Sequence, residues 1–509
     1  MSAYDRHVVI IGTGFAGLAM GIKLKKAGFD DFTILERSSD VGGTWRDNHY
    51  PGAACDVPSH LYSFSFEPNR RWSRKFSPQK EILEYLRHCA RKYGLMPHIR
   101  FNSNVEGARY DEDAGLWSVK TQGGAEYKGR VLINATGGLS RPVYPDIRGL
   151  RDFKGELFHS AEWNHSAPLD GKTIAVIGTG ASAIQIVPAL APKAARLELF
   201  QRSAAWILPK FDAAYTPREM YLKTKVPGWE RLMRLAIFWR LEFFGLGLRH
   251  PGFMEYAKKV FLRHLETSIK DPVLREKLTP SYLPGCKRIL LSDDFYRAVS
   301  RDNVDVVTAG ISHVDAKGIV TKDGAHHPVD AIICATGFQA SESAAPYPIV
   351  GRRGRILNDV WQAGAEAYRG TTVAGFPNFF MLVGPNTGLG HTSMVLMIES
   401  QVRYTFDAIQ QMTARRLKSV DVDPMRQSAY NERLTRMLDK MVWSKGGCVS
   451  WYQTSTGKNT TLWPRSTVAF RMMTLAFDLR DYQFESLMSD AAGGLSENLT
   501  SPGQEQRSA

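Results

Sequence analysis

The stretch "HVVIIGTGFAGLAMGIKLKKAGFDDFTILER" (residues 7–37) decides the fold. Val8 to Ile11 reads as a buried strand, Gly12-Thr13-Gly14-Phe15-Ala16-Gly17 as a tight turn, and the small and apolar residues that follow as a helix. A second strand, "FTILE", ends on the acid Glu36. A GxGxxG alone is weak evidence. Strand, glycines, helix and a terminal acid in register are a dinucleotide-binding βαβ unit. Gly12 permits the turn, Gly14 lets backbone approach a pyrophosphate, and Gly17 lets helix and strand pack closely. The helix N-terminus offers free N–H groups to that pyrophosphate. Glu36 is placed to accept hydrogen bonds from an adenosine ribose. The competing reading is a close-packed turn with no ligand.

The pattern recurs in "KTIAVIGTGASAIQIVPALAPKAARLELFQRS" (172–203), where Gly178, Gly180 and Ser182-Ala183 form a GxGxxA-type turn. Its second strand ends on Gln201-Arg202-Ser203 in place of an acid. An acid there would repel a 2′-phosphate, whereas Arg202 and Ser203 can bind one, so the second nucleotide is expected to be NADP(H). Two such units in one chain suggest a bound flavin, FAD, and a nicotinamide that reduces it. Two apolar strands, "VLINATGGLS" (131–140) and "AIICATGFQA" (331–340), each end in Ala-Thr-Gly where the chain would cross between units. Near the C-terminus "FFMLVGPNTGLGHTSMVLMIESQVRY" reads as strand, Gly384-Pro385 turn and helix, with the helix start expected around Gly390 to Thr392, facing the flavin.

The expected architecture is α/β, with two Rossmann-like dinucleotide-binding domains. Residues 1–145 and 370–490 form the FAD domain, and 146–369 the NADP domain. A helical insertion covers about 212–285, rich in Trp, Phe, Leu and Arg, and is expected to supply an apolar pocket. The polar Gly/Ser-rich segment 491–509 is expected to be disordered.

A chain of 509 residues, 43% hydrophobic and 23% charged, is ordinary for a globular protein of two or more domains. The net charge of +14 is spread along the chain. No nucleic-acid motif accompanies it, so nucleic acid is not expected as a partner. Five cysteines form no CxxC pair and no metal-ligand cluster; they read as free thiols in a reducing, cytoplasmic setting, with no metal. No uncharged apolar run reaches the roughly 18 to 20 residues of a spanning helix. "LMRLAIFWRLEFFGLGLRH" (232–250), interrupted by Arg234, Arg240 and Glu242, is expected to be a half-buried helix, and peripheral membrane contact stays open.

Two further stretches carry a resemblance. "GGTWRDNHYPGAACD" (42–56) contains Gly42-Gly43, Thr44, Trp45, Tyr50-Pro51-Gly52 and Asp56. "FKGELFHSAEWN" (153–164) contains Phe153, Gly155, His159 and Trp163, at a spacing that neither a helix nor a strand period explains. With two nucleotide loops in the expected order, the chain resembles the type I Baeyer–Villiger monooxygenases, of the class B flavoprotein monooxygenases, from about residue 5 to 480. One departure is Asn164, where that family usually has Pro or Asp after the tryptophan. Trp163 itself favours this subfamily over N- and S-oxygenating relatives.

The resemblance implies NADPH- and O₂-dependent conversion of apolar ketones to esters or lactones through a C4a-peroxyflavin. It implies that 153–164 is a stretch linking the domains that changes position as NADP binds, with His159 a hinge and relay residue. "PGCKRILLSDDFYRAVSRDNV" (284–304) supplies the matching Lys287-Arg288 pair. By resemblance Arg288 is the catalytic cation, Asp56 the acid that pairs with it beside the flavin, and Lys287 joins Arg202 and Ser203 on the 2′-phosphate. Thr44 and Trp45 fall among the cofactor-binding residues, and Trp451 in "GGCVSWYQTSTGKNTTLWP" (446–464) at a position near the nicotinamide. A flavin N- or S-oxygenase and a non-enzymatic NADPH sensor remain as alternatives. A disulfide reductase is rejected, since Cys55 has no close partner cysteine. Neither oligomeric state nor the particular ketone can be read from the residues.

Overall fold

The structure is a computed structural model that describes residues 7–339 and 346–487. The tail expected to be disordered lies outside the described residues. Ten short strands carry the two nucleotide-binding units. The first unit begins with β1 (Val8–Ile11), β2 (Phe32–Leu35), β3 (Ile99–Arg100) and β4 (Val131–Asn134). The second contains β5 (Glu156–His159), β6 (Thr173–Ile177), β7 (Arg196–Phe200), β8 (Val304–Val307) and β9 (Ala331–Cys334). With β10 (Phe379–Met381) the chain returns to the first sheet.

The sheets run β10-β4-β1-β2-β3 and β8-β7-β6-β9-β5, and every pairing within them is parallel. Parallel strands are covered on both faces, which is why β1, β2, β4 and β9 are buried at every position and, Thr33 and Asn134 apart, apolar. Before its return strand each unit carries an antiparallel meander, at residues 105–129 in the first and 311–328 in the second.

Helix α1 (Phe15–Lys26) follows β1, and α2 (Ala183–Leu190) follows β6. In the region expected to be a helical insertion, α3 (Trp229–Gly247) and α4 (Pro251–Ser268) are flanked by shorter helices at Pro217–Lys225 and Pro272–Lys277. Helix α5 (Met394–Ala414) packs on α1.

Three expectations change. The chain rejoins the first unit well before residue 370: Ile349 pairs with Ala108, and Tyr347, Leu357 and Trp361 share a core with Val9 and Leu132. No motif marks that crossing, because it is made by packing. The helix after the Gly384-Pro385 turn starts at Met394, with Ser393 accepting from the Val395 N–H at 3.2 Å, just beyond Gly390 to Thr392. A serine oxygen satisfies an orphan donor that glycine cannot. Finally, four residues of the 153–164 stretch form a strand. β5 pairs with β9, so that His159 lies opposite Cys334.

Candidate active site

The two glycine loops open onto one cleft of about 1770 Å³, whose walls also carry Asp56, Lys287, Arg288 and Trp451. Both loops are built alike. Gly12 has φ +104°, and a Cβ there would meet the Ala135 carbonyl oxygen at 2.7 Å; Gly178 has φ +116°, with Ala335 oxygen at 2.4 Å. The Ala-Thr-Gly strand ends thus form the floor on which each turn rests, and glycine is required in both places. At Gly14 and Gly180 the lost side chain leaves room instead. A Cβ on Gly14 would touch nothing nearer than Gly43 Cα at 4.0 Å, and one on Gly180 nothing within 4 Å. Such open backbone above a helix N-terminus fits a pyrophosphate.

Glu36 leaves β2 onto the cleft wall, buried and fully engaged. One carboxylate oxygen accepts from the Thr13 N–H at 3.1 Å and the Thr13 hydroxyl, the other from the Ser38 N–H and Arg46, each at 2.9 Å. Gly42 and Gly43, both at positive φ, turn the chain into the short helix Thr44–Asp47 beside Gly14. Trp45 donates to the Tyr62 hydroxyl at 3.0 Å.

Across the cleft Lys287 donates to the Ser203 hydroxyl at 2.9 Å, and Arg202 stands beside it. Burial, reinforced by the Arg202 charge, pulls the Lys287 ammonium below its ordinary value. Among the described residues neither cation has a carboxylate within salt-bridge distance. Two uncompensated cations and a hydroxyl form a receptor for a dianion.

Between the two loops lies Arg288. Its Nε donates to an oxygen of Asp56 at 2.8 Å, its Nη2 lies 2.7 Å from the same oxygen, and its Nη1 donates to the Leu389 carbonyl at 3.4 Å. The Asp56 charge holds the guanidinium above its ordinary value, so it is a permanent cation. Its side chain is 30% exposed, and that exposure is to the cleft. Tyr452 packs beside it. Burial pushes this phenol up to about 12, although the neighbouring guanidinium opposes the shift. Trp451 also lines the cleft but is half exposed, with its ring 4.6 Å from that of Tyr452.

Sequence reasoning missed Tyr452. It follows Trp451 directly, but only the fold shows which of the two rings is buried. Gln185 on α2 was missed as well. It accepts from the Tyr50 hydroxyl at 3.0 Å and donates to the Ala54 carbonyl at 2.9 Å, fastening the 42–56 stretch to the second unit.

The four residues of the shorter stretch stand behind the cleft and not on its wall. Phe153 and Trp163 are buried, the latter against Phe158. A Cβ on Gly155 would strike the Asp330 carbonyl oxygen at 2.3 Å. His159 is buried, its Nδ1 accepts from the Ala161 N–H at 3.1 Å, and burial lowers its pKa. Among the described residues its Nε2 has no hydrogen-bond partner.

The two stretches meet at a pair of imidazoles, His49 Nδ1 lying 2.8 Å from His165 Nε2. Burial, then the His165 charge, lowers the His49 pKa from 6.5. A lowered basic group gives stability that is complete above the unfolded value and is lost as pH falls through the folded one. The contact is therefore expected to open below about pH 6.5. An NMR titration of the His49 ring that gives a value at or above 6.5 would contradict this.

Two further expectations are corrected. The cysteines are not all free: Cys286 and Cys448 form a disulfide across 162 residues, leaving Cys55, Cys89 and Cys334 buried and unpaired. Cysteines so far apart in sequence show no spacing signal, and only the fold brings them together. The disulfide lies one residue before Lys287 and three before Trp451. Of the insertion (about 212–285), Tyr282 lines the cleft and residues 212–281 do not, so it supplies one side chain there and not an apolar pocket. On α3, Ile237, Phe238 and Leu241 pack against the core of the first unit, while a second set of large apolar side chains points outward. Among the described residues no group of His, Cys, Asp and Glu could hold a metal, and no helix is long and apolar enough to cross a membrane.

The family described as "Pyridine nucleotide-disulphide oxidoreductase" matches residues 9–218, a span holding both glycine loops. A Baeyer–Villiger monooxygenase of Pseudomonas aeruginosa is 48% identical over 94% of this chain and 92% of its own. Cyclohexanone monooxygenase from Rhodococcus sp. Phi1, solved with NADP⁺, superposes with a TM-score of 0.85 at 30% identity over 94% of this chain and 99% of that one. The structure of OTEMO in complex with FAD and NADP also reaches 0.85, at 28% identity over 95% of this chain and 100% of that one. With near full-length identity of this order added to two nucleotide loops on one cleft, the chain belongs to the Baeyer–Villiger monooxygenases.

Proposed function

We propose that this enzyme oxidises apolar ketones to esters or lactones, with Arg288 and Asp56 governing the oxygen-insertion step. The observation that carries this reading is the Asp56–Arg288 pair in the wall of the cleft onto which both glycine loops open. FAD and NADP(H) are the cofactors. Overall, ketone, O₂, NADPH and a proton become ester, NADP⁺ and water. FAD, when bound, accepts hydride from NADPH and activates O₂.

The chain's own residues do the rest. Gly12, Gly14, Gly17, Glu36, Thr44 and Trp45 would hold the flavin nucleotide; Gly178, Gly180, Ser182, Arg202, Ser203 and Lys287 would hold NADP. Attack on a carbonyl develops an oxyanion, and a fixed cation nearby lowers that barrier. Arg288 suits this role, because it cannot give up its proton, and Asp56 fixes its direction by accepting from Nε and pairing with its charge. N- or S-oxygenation develops no such oxyanion, so the fixed cation favours the ketone reading. Leu389, Trp451, Tyr452 and Leu462 give that end of the cleft an apolar wall, which fits a ketone of low polarity. NADPH is regenerated inside cells, and we place the enzyme in the cytoplasm.

The test is to supply NADPH, ¹⁸O₂ and a panel of linear, aryl and cyclic ketones, and to analyse the products. One ¹⁸O per ester, with one NADPH consumed, is the expected result. Hydrogen peroxide in amounts equal to NADPH, with no ester from any ketone, would refute the proposal.

Arg202 and Lys287 give a separate prediction. Hydrogen bonds to a charged group contribute about 1.5–3 kcal/mol. Arg202→Ala and Lys287→Ala should therefore each raise the KM for NADPH about ten- to a hundredfold. The KM for NADH should be nearly unchanged. Equal losses with both nucleotides would remove the 2′-phosphate assignment.

A further inference from the structure

Helix α3 carries apolar side chains on two faces: Ile237, Phe238 and Leu241 pack against the core of the first unit, and a second set faces solvent. Its buried residues are Glu230, Glu242 and Gly245. Glu230 accepts from His60 at 2.8 Å and Glu242 from His391 at 3.1 Å, both pairs being buried. Arg234 donates to the carbonyls of His60 at 2.8 Å and Ser63 at 3.1 Å. Polar bonds thus fasten its inner face together with the contacts of Ile237, Phe238 and Leu241. The outer face carries Leu232, Leu235, Trp239, Phe243 and Leu246, at steps of three and four residues and 46 to 67% exposed. A helix that folds only to stabilise its own domain leaves a polar face to solvent, not a second apolar one. The apolar surface continues onto α4, where Phe253 lies over Gly247, and Tyr256 and Val260 follow at helical spacing. A patch of this kind marks an interaction site.

We propose that the outer face of α3 and the start of α4 dock on an anionic lipid bilayer. The charges select this occupant. Among the described residues no carboxylate is exposed on α3, since both of its acids turn inward, whereas Arg231 and Arg240 are exposed beside the apolar stripe. On α4, at about 100° per residue, exposed Lys259 and Arg263 lie between the stripe and the exposed acids Glu255 and Glu266. A second copy of the chain would bring the same cations face to face across a two-fold axis. A bilayer with anionic headgroups accepts the cations, and the Trp, Phe and Leu side chains enter its interfacial layer. The net charge of +14 adds long-range attraction of the same sign. With no spanning helix, the contact is peripheral and in the plane of the interface.

The test uses the FAD-loaded full chain, sedimented with vesicles of phosphatidylcholine alone or mixed with phosphatidylglycerol. Binding should be confined largely to the mixed vesicles and fall as salt is raised. Each cation near a charged surface changes affinity about fivefold, so the double variant Arg231→Glu/Arg240→Glu should lose about thirtyfold or more. Trp239→Ser/Phe243→Ser should lose at least about tenfold. Both variants should keep wild-type turnover of a water-soluble ketone, because these positions lie outside the cleft. Equal sedimentation with both vesicle types would overturn the proposal, as would wild-type binding by both variants. A concentration-dependent dimer in light scattering, lost in these variants, would overturn it in favour of a second copy. These readouts measure binding alone, so they stand apart from the ketone reaction.

Discussion

Arg288→Ala is expected to lower kcat for ester formation about 10²- to 10³-fold, while NADPH consumption continues and yields hydrogen peroxide. The magnitude is that of deleting one preorganised group at a developing oxyanion. NADPH consumption should continue because the residues proposed to hold the nucleotide, Arg202, Ser203 and Lys287, do not donate to Asp56. Arg288→Lys restores a charge but not the guanidinium geometry that donates from Nε to Asp56 at 2.8 Å with Nη2 2.7 Å from the same oxygen, so it should recover only part of the loss. Asp56→Asn keeps the hydrogen-bond acceptor and removes the counter-charge, and its deficit should lie between those of the two arginine variants. Product analysis by chromatography, run beside a peroxide assay, separates these outcomes. If Arg288→Ala forms ester at the wild-type rate, the guanidinium has no part in the insertion step.

The second large effect is predicted at Gly17. A Cβ there would sit 1.9 Å from the Gly12 carbonyl oxygen, which is backbone and cannot swing aside. Gly17→Ala must push α1 off the first loop, and overpacking of this kind is destabilising by about 1–3 kcal/mol or more. Since the displaced backbone is the expected FAD cradle, FAD affinity should fall about ten- to a hundredfold or further, and the apoprotein should melt earlier. Gly14→Ala supplies the contrast. Its Cβ would meet only Gly43 Cα, at 4.0 Å, so the apoprotein should melt as wild type while FAD binding weakens, because the methyl group occupies the ligand's space. Flavin content by absorbance and the Tm of the apoproteins are the two readouts. Stoichiometric FAD and an unchanged Tm in Gly17→Ala would show that the close helix–strand contact does not exist.

Much of this protein was legible because a dinucleotide loop is a local object. Strand, turn, helix and terminal residue all lie within about thirty residues, and each glycine answers to a contact within its own unit or with the adjoining strand. Both loops, the Glu36 and Arg202-Ser203 contrast, and the parallel sheets follow from short-range sterics and charge. Asp56 and Arg288 were named from motifs read separately; nothing in the sequence showed that they touch across 232 residues. The same holds for Lys287 with Ser203, for Tyr452 beside the guanidinium, and for the Cys286–Cys448 pair.

The insertion went furthest from expectation. Its composition was read correctly as apolar and helical, and the direction in which its side chains face was not. Periodicity reports that a helix has an apolar stripe, and the usual inference is that the stripe faces inward. In α3 the buried hydrogen bonds of Glu230 and Glu242 with His60 and His391 turn one apolar set outward, because two glutamates find histidines in the first unit at the right height. Local sequence therefore determined which elements form and which of them can receive a nucleotide. Tertiary structure alone decided which charges meet and which helix face is left to solvent, since both depend on contacts between residues more than a hundred positions apart.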